Sequence, residues 1–207
     1  MKKLIQNQGL NLVLMGLATV PAFSQSKDVK KPNILFIAVD DLKPLIAAYG
    51  DKIAVTPGMD RLAKEGFAFQ NCYVQQAISG ATRASCLTGM RPDKTRVWDL
   101  VTDFRQVNPN AVTIPEYFIK NGYESAAVGK IFHMGSAGPG HDAPSWTLPY
   151  VNVKVATYAN SPPEKGKKGP ALECADVPDN TYQDGLAAEE GIKLMNQLKA
   201  KGKPFFL

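Results

Sequence analysis

The chain has 207 residues, 44% of them hydrophobic and 21% charged, with a formal net charge of +5. Those proportions describe ordinary globular protein with one sizeable core, and they exclude disordered and fibrous classes. Setting aside Lys2 and Lys3, in a first 25 residues that hold no acid, takes the charge from +5 to +3, a mild surplus that permits a polyanionic partner without arguing for one.

The first residues differ from the rest. Lys2 and Lys3 precede an apolar stretch over 10–20, and Ala22-Phe23-Ser24 follows with small residues at the spacing a signal peptidase reads. The expectation is a secretion signal over 1–25, cut near Ser24 or Gln25, and a mature part over 26–207. The apolar stretch is too short to span a bilayer, and no later segment is long and apolar enough to do so. Export is also compatible with Cys72, Cys86 and Cys174, whose odd number and spacing define neither a disulfide framework nor a zinc site.

Pro32-Asn33 leads into Ile34-Leu35-Phe36-Ile37-Ala38-Val39, an unbroken apolar run that predicts a strand covered on both faces, as in a parallel sheet. Thr56-Pro57 opens a helix that Gly66 ends, with Leu62 and Ala63 on its apolar face. Residues 67–74 read as a second strand, 75–80 as a loop, and the following segment as a short helix closed by Gly89 and Pro92. A further short helix runs from Ile114 towards Gly122, and 123–128 is another strand ending at Gly129-Lys130. Residues 134–179 are rich in Gly, Pro, Ser and Lys and read as a long surface insertion. Within it, His141, Trp146 and the lysines at 165, 167 and 168 read as parts of an exposed loop that a glycan surface also suits. Residues 186–201 form a helix with Ala187, Gly191, Leu194 and Leu198 on one side. Lys203-Pro204-Phe205-Phe206-Leu207 reads as a strand just beginning, with no turn after it. The expectation is a chain that stops inside its domain and leaves a sheet edge unpaired.

In open parallel sheets the reactive groups gather at the carboxyl ends of strands, where Asp40 and Asp41 stand after the first strand. Adjacent carboxylates suit a hard divalent cation, and they equally suit the start of a turn. Ser79-Gly80-Ala81-Thr82-Arg83 places a hydroxyl at a helix start beside backbone N–H groups, with fixed positive charge four residues on. On residue types alone, Ser79 reads also as an N-cap and Arg83 as a solvated first-turn residue. Lys130 and His133 follow a strand end too; they can hold an oxyanion or exchange a proton, or serve as a surface group and a packing residue.

The wording and order of these elements resemble the sulfatase family, within the alkaline phosphatase-like superfamily, and within it the iduronate-2-sulfatases. Carrying the resemblance are Pro32-Asn33-Ile34-Leu35-Phe36 through Asp40-Asp41, Thr56-Pro57 with Asp60-Arg61-Leu62-Ala63, and Gln75 through Gly89. In the last stretch, Ser79-x-Ala81-x-Arg83 with Leu87-Thr88-Gly89 looks like the signature for oxidation of a serine or cysteine to formylglycine. Arg91-Pro92-Asp93, Thr113-Ile114-Pro115, Val128-Gly129-Lys130 with Phe132-His133, and the closing Lys203-Pro204-Phe205-Phe206-Leu207 extend it over nearly all of the mature chain. Ser79 in place of cysteine and Ala81 in place of proline resemble the serine-type variant, and Cys86 reads as a buried helix cysteine rather than the site.

The resemblance implies an α/β three-layer sandwich with a central mixed, mostly parallel sheet, of which this chain is the N-terminal part. It implies Asp40 and Asp41 as Ca2+ ligands together with the group at Ser79, Ser79 as the formylglycine precursor, Arg83 as its holder, and Lys130 and His133 as contacts to the diol and the sulfate. One hydroxyl of hydrated formylglycine, polarised by the metal, attacks sulfur, and the other expels sulfate and regenerates the aldehyde. Implied partners are a sulfated glycan, with 2-O-sulfate on a uronic acid first among substrates, and a maturation enzyme; no nucleic acid or membrane span is expected. A periplasmic or secreted location follows from the leader. Family members draw further ligands and a second histidine from later segments, so the chain alone is expected to be inactive. Phosphoester or phosphonate hydrolysis on the same scaffold, and non-catalytic polyanion binding, are the competing readings.

Overall fold

A computed structural model describes residues 30–134, 137, 141–155, 157–161, 163, 165 and 167–207. The predicted leader over 1–25 lies outside them. What positions everything else is a short parallel sheet built from the last residues of the chain. Strand β2 (Phe205–Phe206) lies parallel to β1 (Glu124–Ser125), pairing Glu124 with Phe205 and Ser125 with Phe206. On its other side β2 meets the 34–36 segment, where Ile34 N–H donates to Phe205 O, Leu207 N–H to Ile34 O and Phe36 N–H to Leu207 O. Beyond β1, Val128 and Val151 form a further parallel bridge.

The terminal strand is therefore central and paired on both sides, which corrects the expectation that it leaves a sheet edge bare. Its alternation explains why both faces must be covered. Phe205 and Leu207 pack on Ala126, Leu194 and Leu198, which places helix α6 (Gln183–Ala200) on one face. Phe206 points the other way, stacking on Phe36 and on Phe118 of helix α5 (Ile114–Lys120). On that second face a separate cluster joins Ala81, Ala84 and Leu87 of helix α2 (Ser79–Thr88) to Val97, Phe104 and Phe132. Helix, sheet and helix make three layers.

Local chemistry sets the helix ends. Helix α1 (Pro57–Glu65) starts with proline, and Gly66 N–H closes it on Leu62 O. Thr113 caps α5, its hydroxyl accepting from Glu116 N–H. Gly89, at φ +67, closes α2 on Ser85 O. The short helices α3 (Pro92–Thr95) and α4 (Phe104–Val107) carry the chain from α2 to α5.

Four further expectations need correction. Residues 67–74 form no strand; Phe67 is 94% exposed and Tyr73 82%, and among the described residues no backbone lies alongside to complete a ladder. Residues 34–39 are extended but covered on one face, with Leu35, Ile37 and Val39 at least half exposed. Leu62 of α1 is exposed as well, while Ala63 is half-buried, so that helix has no fully buried residue. The insertion is less loop-like than expected at its start: Trp146 packs on the α2 cluster, while Lys165 and Lys168 are exposed. Among the described residues no helix is long and apolar enough to cross a membrane.

Candidate active site

Because the 34–36 segment and β1 run parallel, their carboxyl ends reach one edge of the sheet, and α2 begins there too. Asp40, Asp41, Ser79 and Arg83 line one cleft of about 430 Å³, with Thr82, Cys86 and Ile131 among the other walls.

Ser79 is the first residue of α2, not its N-cap, which is Ile78. The first helical bond runs from Thr82 N–H to Ile78 O, so the preceding N–H groups lack intrahelical acceptors and the helix start favours negative charge. The Ser79 hydroxyl is buried and has no hydrogen-bond partner. A buried polar group left so costs stability, and such groups concentrate where chemistry is done. Gly80 is required beside it: a Cβ there would sit 2.2 Å from the carbonyl oxygen of Asp99.

Arg83 lies one turn further along α2. Its Nη2 donates to Asp40 Oδ1 at 2.7 Å, and its Nη1 donates to the carbonyls of Lys130 at 2.8 Å and Ile131 at 2.7 Å. Lys130 Nζ binds Asp40 Oδ2. Three segments distant in sequence thus share one charged knot. The Lys130 ammonium, with Arg83 behind it, holds the Asp40 carboxyl below the usual range against the opposing pull of partial burial. Asp41 adopts φ +50, a left-handed conformation aspartate tolerates better than most residues.

Of the six residues singled out from sequence, the structure brings four onto the cleft wall and ties Lys130 to them through Asp40. His133 is half-buried two residues beyond Ile131 and outside the set of lining residues. Cys86 corrects its expectation: it is exposed and lines the cleft, because position 86 is seven residues, two helical turns, from Ser79 and shares its face. Sequence reasoning also missed Tyr150, whose hydroxyl donates to Gly129 O and accepts from Ile131 N–H. A tyrosine in a proline-containing insertion carries no signal of such a contact.

The donor set fits a hard cation in kind. Two carboxylates and the oxygen at position 79 face one cleft, but Ca2+ takes six to eight oxygens, and the described residues hold no cluster of three or more His, Cys, Asp or Glu suited to a metal. Both Asp40 oxygens are meanwhile engaged by Arg83 and Lys130. The residues present account for part of such a shell.

The profile of the Sulfatase family matches residues 32–207. The chain is similar to iduronate 2-sulfatase of Mus musculus, 41% identical over 184 residues that are 84% of this chain and 33% of that protein. The Homo sapiens iduronate 2-sulfatase is 39% identical over the same share, 34% of its own length. Among solved structures, BT4656 in complex with its substrate D-glucosamine-2-N,6-O-disulfate superposes with a TM-score of 0.60 at 25% identity, covering 86% of this chain and 33% of that one. The chain thus spans about a third of the length of the curated relatives it matches. Its three-layer, parallel-sheet architecture is the alkaline phosphatase-like fold, and by sequence and fold together the chain belongs to the sulfatase family.

Proposed function

We propose that the natural protein hydrolyses sulfate esters of glycans, with a 2-O-sulfate on a uronic acid as its preferred target, and that Ser79 is the precursor of its working group. The observation that carries this reading is the buried, unpartnered hydroxyl of Ser79 on the wall of a cleft it shares with Asp40, Asp41 and Arg83. The iduronate 2-sulfatase relatives and a solved neighbour bound to a disulfated glucosamine support the substrate class.

Conversion of Ser79 to formylglycine supplies a hydrated aldehyde with two hydroxyls on one carbon, and Ca2+ bound by Asp40, Asp41 and that group supplies Lewis-acid stabilisation of negative charge. The chain's own residues account for the rest. The start of α2 and the Arg83 guanidinium set a positive field where a sulfuryl group would sit, already oriented before reaction. Asp40 fixes Arg83 from one side while the Lys130 and Ile131 carbonyls fix it from the other. Lys130 brings a second positive charge to the same edge, suited to the departing sulfate. His133 follows two residues after Ile131 of the cleft wall, and its proposed role is as a further contact to the sulfate.

The test is hydrolysis of a 2-O-sulfated uronate disaccharide beside an aryl phosphate, by the natural protein and by Ser79→Ala. Sulfate release lost in Ser79→Ala supports the reading. Faster release of phosphate than of sulfate supports a phosphoester hydrolase instead, and tight binding of sulfated glycan with no turnover supports a binding protein. The proposed location is periplasmic or extracellular, on the strength of the residue pattern over 1–25; the natural protein should begin near Ser24 or Gln25, and an intact N-terminus on it would refute export by this leader.

A further inference from the structure

We infer that Tyr150 is a positioning residue for the cleft, its hydroxyl fixing the 129–131 turn that presents Lys130 and the carbonyls holding Arg83. The inference rests on the proposed sulfatase site, since it concerns how that site is held in shape.

A phenol hydroxyl has one proton to give and lone pairs to accept with. Tyr150 uses both, donating to Gly129 O and accepting from Ile131 N–H at 3.3 Å. The two partners flank Lys130, so one oxygen staples both sides of the residue whose Nζ binds Asp40. The turn needs a staple because Gly129 stands at φ +76, a conformation glycine adopts without steric guidance. The next residue along adds a main-chain tie: Val151 N–H donates to Ala127 O, and Gly129 N–H to Val151 O at 3.1 Å.

The tyrosine ring is itself immobilised. His141 stacks on it with centroids 4.2 Å apart and planes 1° from parallel, and Trp146 lies 5.8 Å away. Trp146 Nε1 donates to His141 O at 2.8 Å, and the adjacent Asp142, with a side chain 1% exposed, is gripped by both Nε and Nη2 of Arg105. Contacts therefore run without a gap from the ion pair that ties Asp142 of the insertion to Arg105 of α4, through the Tyr150 ring and hydroxyl, to the 129–131 backbone and on to Arg83.

The test compares Tyr150→Phe with Tyr158→Phe in the natural protein. Tyr158 is a matched control within the insertion, its hydroxyl donating to Pro170 O at 3.0 Å. Two readouts are taken: sulfate ester turnover, and the rate at which acetic anhydride labels Lys130, followed by peptide mass. The expected result for Tyr150→Phe is a kcat lower by roughly tenfold or more, from misplaced charges at the reacting group, with KM nearly unchanged and Lys130 labelled faster. Tyr158→Phe should match wild type in both. A lower Tm for Tyr150→Phe with wild-type kcat and wild-type labelling would make the tyrosine structural only and overturn the inference. If the wild-type protein releases no sulfate, the functional proposal fails by itself, and Lys130 labelling still decides: faster in Tyr150→Phe than in Tyr158→Phe upholds the positioning role, and equal rates overturn it.

Discussion

Arg83 and Asp40, 43 residues apart in sequence, meet at 2.7 Å through Nη2 and Oδ1, and the same guanidinium binds two carbonyls of the 130–131 backbone. One side chain, 11% exposed, thus holds the start of α2 to the ends of two parallel sheet segments. Arg83→Ala should cost about 2 kcal/mol of stability through the loss of these charge-assisted bonds. Arg83→Lys should recover only part, because an ammonium lacks the planar fork that reaches all three acceptors. Urea denaturation of the three proteins measures both; full recovery by lysine would show that charge alone matters.

Gly80→Ala tests the packing that seats Ser79. The added Cβ meets the Asp99 carbonyl at 2.2 Å and Leu100 Cα at 3.4 Å, both main-chain atoms that cannot swing away. Overpacking of this kind costs about 1–3 kcal/mol. The expected outcome is a lowered urea midpoint with turnover reduced further than the stability loss explains, since the displaced segment adjoins Ser79, the proposed precursor of the reacting group. Gly58→Ala, at a helix position where the new Cβ meets nothing within 4 Å, should be neutral or stabilising.

The Arg105–Asp142 pair is deeply buried on its acidic side, where the Asp142 side chain is 1% exposed, with Glu116 on the same guanidinium at 3.0 Å. Asp142 also accepts from the buried Ser145 hydroxyl. Asp142→Ala removes the acceptor of Arg105 Nε and of the Ser145 hydroxyl while leaving the guanidinium Glu116 and the Ala111 carbonyl, and should cost about 2 kcal/mol, whereas Glu116→Gln, which keeps an acceptor, should cost about 1 kcal/mol. Equilibrium unfolding in urea gives both values, and equal losses would show that the buried pair is not special.

Glu124 supplies a pH dependence. Lys201 chiefly, then the Thr147 hydroxyl and Lys203, hold its carboxyl down from 4.5 to about 2 against slight desolvation. A depressed folded-state pKa contributes stability that is fully present above the unfolded value and lost as pH falls through the folded one. The stability margin of wild type over Glu124→Gln should therefore shrink between about pH 4.5 and pH 2 and stay level above that window. Thermal melts of the pair across this range check it; a margin that grows on acidification would reverse the sign.

Much of the site was legible in the sequence because a parallel sheet gathers strand ends. Once 34–39 and 123–128 read as parallel strands, Asp40, Asp41 and Lys130 had to share an edge, and Gly89 fixed where the helix bearing Ser79 stops. What was not legible depends on partners far along the chain. An apolar run such as 67–74 has the composition of a strand, yet hydrogen-bonded neighbours make a strand, and sequence does not name them. Cys86 was misjudged because cysteine is usually buried, while its helical register with Ser79 turns it to the cleft. Tyr150, Trp146 and Asp142 sit in a segment whose Gly and Pro content reads as loop, and their roles rest on contacts with 105, 129 and 131 that no local pattern encodes. The resemblance carried the chemical reading further than the residue types did, since each site residue alone has an ordinary structural use.

Ser79→Ala separates stability from function. Its hydroxyl is buried without a partner, so in protein made without the maturation enzyme removal should leave stability unchanged or raise it by up to about 1 kcal/mol, and in protein made with that enzyme the same change should abolish sulfate release. A clear fall in Tm would mean that the hydroxyl is bonded in the folded protein.

The central claim is that Ser79 is the precursor of the reacting group, and peptide mass spectrometry of the natural protein, isolated with its own maturation enzyme present, tests it most directly. The account predicts a peptide spanning Ser79 that is lighter than its sequence mass by two hydrogens, and that reacts with a hydrazine as an aldehyde does. Intact serine throughout the preparation, in protein that nevertheless releases sulfate, would contradict it.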